Sequence, residues 1–172
     1  LGVTFGVLTQ PAPYADDPGA MLSAVAASHG ALRAVALANP DVSDKTLATW
    51  RAGGVVGLRF TEMRAPGGGR YPGSVPFAAL EALAPRMREH GLHAQLWAPA
   101  AIYREWLPRL MALSLPLVLD HMGCPDPAGG VDHPDFAAIL DAVSTGSVWV
   151  KLVLARVSAQ LPGCDDARPF HD

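Results

Sequence analysis

The chain has 172 residues, 50% of them apolar and only 17% charged, enough for one sizeable core and inconsistent with disorder. Its formal net charge of -3 leaves no basic footprint for nucleic acid, and no apolar run approaches the roughly 20 residues that span a bilayer. Two cysteines, Cys124 and Cys164, make neither a disulfide framework nor zinc-ligand spacing, which points to a reducing, cytoplasmic setting.

In chain order, Val3 to Thr9 reads as a strand, and Asp17-Pro18 starts a helix with Met21, Leu22, Val25 and Ala26 on one face, ending at His29-Gly30. Leu32 to Ala38 is a second strand. Ser43 caps a helix carrying Leu47 and Trp50, closed by Gly53-Gly54 before a third strand, Val55 to Phe60. Pro76 to Arg88 is helical with a break or restart at Pro85, and His93 to Trp97 is a fourth strand. Ala101 to Leu113 is helical with a kink or restart at Pro108, and Leu115 to Asp120 is a fifth strand. Asp132-His133-Pro134 starts a helix with Phe136, Ile139, Leu140 and Val143 at helical spacing. Ser147 to Val153 is a sixth strand, and the rest, including His171, is loop.

Strict alternation of strand and helix implies a parallel α/β sheet. The helix-to-strand links are tight, whereas the strand-to-helix loops hold most of the Pro, Gly and polar residues. That asymmetry suits a barrel whose functional face is built from its βα loops. A doubly wound sheet is the rival, but the first strand runs into Gln10-Pro11-Ala12-Pro13-Tyr14 with no dinucleotide fingerprint. A full barrel needs about 250 residues. The expectation is therefore a single partial (β/α)8 TIM-barrel domain over residues 1–172, about six of eight βα units, with the first and last strands missing.

Side chains alternate along a strand, so the apolar face should meet the helices. Val3, Phe5 and Val7 then face helices and Gln10 turns inward; Val56, Leu58 and Phe60 send Arg59 and Thr61 inward; Ala94 and Leu96 leave Gln95 and Trp97 inside; Val148, Val150 and Leu152 leave Lys151 inside beside Trp149. The fifth strand is apolar on both faces until Asp120-His121. A buried Arg and Lys need partners or an anionic ligand, which makes this an anion-accepting pocket for a small molecule. Plainer readings stand beside it. Lys151 pairs with a carboxylate such as Glu62 or an acid absent from this chain, Arg59 is a structural bridge, or His121 is a core histidine. His29 and His90 cap helix C-termini, Cys124 is an inert thiol, and Gly67-Gly68-Gly69-Arg70 is a mobile lid or plain linker.

Leu117-Val118-Leu119-Asp120-His121-Met122-Gly123, then Pro125-Asp126 and Val148-Trp149-Val150-Lys151, resemble the amidohydrolase-superfamily lactonases of the 2-pyrone-4,6-dicarboxylate lactonase type. Gly57-Leu58-Arg59-Phe60 and Gln10-Pro11 with Tyr14 fall where that family has similar segments. The resemblance implies a (β/α)8 barrel that hydrolyses a cyclic ester of a carboxylated molecule. In it His121 is the catalytic histidine, polarising the carbonyl or holding a metal, and Arg59 and Arg156 bind substrate carboxylate, with Gln10, Tyr14, Trp97 and Lys151 as further substrate contacts. It leaves open a divalent metal such as zinc or none, and a monomer or homo-oligomer. Several positions depart from the pattern. The family's His-x-His is expected before Leu1 and its last-strand aspartate after Asp172; a second family arginine falls at Ala65, beside Arg64; the family Ser and Tyr fall at Ala12 and Trp97; Arg156 aligns across a one-residue gap. Two other functions stay open: decarboxylation of an aromatic acid in the same superfamily, and non-catalytic binding of a small acid.

Overall fold

Leu-, Val- and Ala-rich runs closed by glycine become strands, and the longer Ala- and Leu-rich stretches between them become helices. The structure, a computed structural model, describes residues 2–170; Leu1 and His171 lie outside the described residues. Six strands, β1 (Gly6–Thr9), β2 (Leu32–Ala36), β3 (Val55–Thr61), β4 (His93–Trp97), β5 (Leu117–Leu119) and β6 (Val148–Val150), alternate with five helices, α1 (Gly19–Ala27), α2 (Asp44–Ala52), α3 (Phe77–Glu89), α4 (Ala100–Met111) and α5 (Pro134–Ser144). The chain packs as two compact units, Leu1–Gln95 and Leu96–Asp172.

In the first unit β1, β2 and β3 lie side by side and parallel, with Gly6 opposite Leu32 and Val35 opposite Gly57. Ala34 to Ala38 of the β2 run are all buried, as are Leu58 and Phe60 of β3, Leu47 of α2, and Leu80, Leu83 and Met87 of α3. Each large apolar side chain so buried contributes about 1.5–3 kcal/mol. That explains why α3 runs unbroken through Pro85, contrary to the expected break. The proline lies on the exposed side, and losing one backbone bond, about 3 kcal/mol, is outweighed by the buried face around it. Ser43 caps α2 as expected, accepting the Thr46 N–H at 3.0 Å.

Two expectations fail in this unit. Val3, Phe5 and Val7 do not face helices; Phe5 is 75% exposed. Pairing begins only at Gly6, and alternation identifies a face without saying what covers it. The glycine-rich stretch is neither lid nor linker but a tied hairpin. Arg64 bridges Arg70 antiparallel, the Ala65 N–H donates to Gly69 O at 2.9 Å, and Arg70 reaches the Glu62 carboxylate at 2.8 Å.

In the second unit β5 and β6 pair in parallel, Leu117 opposite Val148 and Leu119 opposite Val150. Tyr103, Leu107 and Leu110 of α4 and Phe136, Ile139 and Ala142 of α5 are buried. α4 also continues through its proline, Pro108. α5 starts where expected, with the His133 ring Nδ1 accepting the Asp135 N–H at 3.3 Å. β6 is shorter than expected, and Leu152, assigned to a helix-facing position, is 61% exposed; alternation lapses where the strand ends at Val150. The segment after it is not all loop, since Leu154–Arg156 and Arg168–Phe170 form single 3-10 turns. Phe170 then packs edge-on against Phe136 at 4.9 Å. No helix among the described residues is long and apolar enough to cross a membrane.

Candidate active site

β5 is a three-residue apolar strand, and the polar sequence Asp120-His121 begins where it stops. Asp120 is still extended, but His121, Met122, Gly123 and Cys124 then take φ values of 53°, 60°, 75° and 49°. A left-handed backbone costs an L-residue about 1–2 kcal/mol, and three of these four carry side chains. Such a turn persists only where its surroundings over-determine it.

The surroundings do so. Within the turn, the Gly123 N–H donates to Asp120 O at 3.0 Å and the Cys124 N–H to His121 O at 2.8 Å. From outside, Lys151 grips it on both sides: its N–H donates to Leu119 O at 2.9 Å, and its carbonyl accepts the Met122 N–H at 2.9 Å. Met122 itself is buried as an anchor. The Lys151 ammonium then lies 3.1 Å from Asp120 Oδ1. Asp120, not Glu62, is therefore the carboxylate that Lys151 meets. Glu62 is engaged elsewhere, by Arg70 and by the Phe77 N–H at the start of α3, 2.9 Å away.

β4 supplies the other wall. The Asp120 N–H donates to Leu96 O at 2.8 Å, which brings Trp97 beside the turn. The Trp97 and His121 rings meet edge to face, centroids 5.9 Å apart at 83°. Trp97 is held by the buried Tyr103 hydroxyl, which donates to Leu96 O at 2.7 Å and accepts the Ala98 N–H at 3.1 Å. Cys124 closes the turn, and burial pushes its thiol up to about 11, helped by the Asp120 charge and opposed by Trp97 and Arg156. At that value the thiol stays protonated near neutrality and is no nucleophile. Arg156 thus lies close enough to be felt at Cys124, on the exposed turn after β6.

The remaining candidates lie in the first unit. Arg59 is half-buried on β3. The Gln10 amide is engaged at both ends, donating to Ala15 O at 2.8 Å and accepting the Leu37 N–H at 2.9 Å, so it ties the end of β1 to the end of β2. Tyr14 is exposed beside it, in a groove of about 300 Å³ shared with Met21 and Asp17. Among the described residues, no three His, Cys, Asp or Glu side chains converge to hold a metal ion. Two participants escaped the sequence reading. Asp120 was visible only as the neighbour of His121, and Tyr103 only as one member of an apolar helical stripe.

A model of the Amidohydrolase family matches residues 1–172. The 4-sulfomuconolactone hydrolase of Hydrogenophaga intermedia is 29% identical over 99% of this chain and 55% of its own length. A 2-pyrone-4,6-dicarboxylate hydrolase of Comamonas testosteroni is 31% identical over 88% of this chain and 48% of its own length. A solved structure from Pseudomonas putida, assigned as a 2-pyrone-4,6-dicarboxylic acid hydrolase, superposes with a TM-score of 0.82 at 32% identity, covering 98% of this chain and 60% of that one. The chain thus spans about half the length of the curated relatives it matches, and the expected fold class, a partial parallel α/β barrel, is the one found.

Proposed function

Since the chain belongs to the amidohydrolase family, we propose that it carries part of the site of a hydrolase that opens a lactone ring in a carboxylated small molecule. The observation that carries this reading is the position of His121. It stands at the end of a parallel strand, where α/β barrels place their chemistry, on a turn held in a costly conformation. Supporting it, similar proteins are named for hydrolysis of a sulfomuconolactone and of a pyrone dicarboxylate.

Opening a cyclic ester moves negative charge onto the carbonyl oxygen, and a fixed donor aimed at that oxygen stabilises the transition state, an effect that is usually the largest single contribution to such catalysis. His121 takes that role, with the Trp97 ring packed against its own at 83°. Arg156, and Arg59 by family resemblance, take substrate carboxylate, for which the planar guanidinium fork is suited. Steady-state kinetics on carboxylated lactones tests the assignment. His121→Asn should lower kcat by about 10²–10³-fold, the scale of losing an oxyanion donor. Arg59→Lys keeps the charge but loses the fork, so it should act mainly on KM, by about 1–3 kcal/mol. Unchanged turnover in His121→Asn returns that histidine to a packing role and ends the proposal.

A further inference from the structure

We infer that Asp120 and Lys151 form a positioning clamp for His121, and that Lys151 is not itself a substrate contact. Its bearing on ring opening rests on the reading above; the clamp itself does not. The left-handed turn has four residues at positive φ, and its own two bonds, Gly123 N–H to Asp120 O and Cys124 N–H to His121 O, are short-range and fail together if it opens. Lys151, the residue after β6, makes two backbone hydrogen bonds to this turn and the strand end before it. The backbone of Lys151 bonds the residue before Asp120 and the residue after His121, both at 2.9 Å, so His121 is bracketed by one lysine.

The side chain completes the bracket. Lys151 Nζ lies 3.1 Å from Asp120 Oδ1, and the Asp120 side chain is 4% exposed. A carboxylate so buried is costly without a cation, so Asp120 holds the lysine in place, and with it the lysine carbonyl that receives Met122. Geometry also separates the two positive side chains here. The ammonium of Lys151 faces an acid at the start of the turn, whereas Arg156 lies on an exposed turn. Of the two, Arg156 is the one placed to meet an incoming anion.

Amide hydrogen exchange and kinetics on Lys151→Met, Lys151→Arg and Asp120→Asn test the clamp. Lys151→Met should speed exchange of the Met122 amide about tenfold while the Leu107 and Leu110 amides of α4 keep their rates. The effect falls short of losing a fully buried pair because the lysine side chain is 36% exposed and water screens it. Lys151→Arg should restore most of the protection, and Asp120→Asn, which keeps the shape, should resemble Lys151→Met and serves if that variant does not fold. Unchanged Met122 exchange, or acceleration shared equally by α4, overturns the clamp. On a lactone that the wild type opens, Lys151→Met should lower kcat with KM held within about twofold. A raised KM with kcat kept makes Lys151 a substrate contact and also overturns the inference. If the wild type opens no lactone, the ring-opening reading fails while the exchange experiment still decides the clamp.

Discussion

Gly123 and Gly146 have similar positive φ, 75° and 77°, but opposite surroundings. A Cβ on Gly146 would meet nothing within 4 Å, whereas one on Gly123 would lie 2.5 Å from Ile139 Cδ1, with Cγ1 and Cγ2 at 3.4 and 3.5 Å. Ile139 is 1% exposed, so its tip cannot swing into solvent to make room. Gly146→Ala should therefore lose only the left-handed backbone penalty, about 1–2 kcal/mol. Gly123→Ala should lose that and a further amount for overpacking, about 1–3 kcal/mol. Equilibrium urea denaturation of both variants reads the difference directly, provided the m-value is unchanged. Equal losses would refute the close packing of the turn against α5. A neutral Gly123→Ala would refute the left-handed turn as well.

Two more outcomes follow from the same unit. The Cys124 thiol is raised from 9.0 to about 11 on folding, so the folded chain holds that proton more tightly than the unfolded one. Its stabilising contribution is complete below pH 9, and about 2–3 kcal/mol of stability is lost as pH rises through 11; urea midpoints against pH should fall less steeply in Cys124→Ala, and parallel curves would sink the argument. Tyr103→Phe removes the hydroxyl that accepts the buried Ala98 N–H, which should cost about 1–3 kcal/mol in the same denaturation assay, and a loss under about 0.5 kcal/mol would show that the backbone there finds another partner.

Much of the fold was legible because local signals agreed. Ser43 before a helix, Pro134 at a first helical position and His93 to Trp97 between two glycine- or proline-bounded ends all behave as their chemistry dictates. Pro85 and Pro108 misled because a proline reports a lost backbone bond but not the apolar face that holds its helix together. Val3, Phe5 and Leu152 misled for a related reason. A period of two says which residues share a face only while the strand lasts, and β1 and β6 are shorter than their apolar runs.

The site was legible in its residue types and not in its backbone. Asp120, His121, Trp97 and Lys151 stand out as polar or aromatic groups at the ends of apolar strands, which is a chemical signal. Nothing in His-Met-Gly-Cys announces four successive left-handed residues, since only glycine favours that region and three of the four are not glycine. The conformation is imposed by Lys151, some thirty residues further on. A strand can be read from its own residues, but a strained turn has to be read from whatever holds it. Here the holder is a lysine whose charge invited a ligand and whose nearest acid, Asp120, was already beside the histidine.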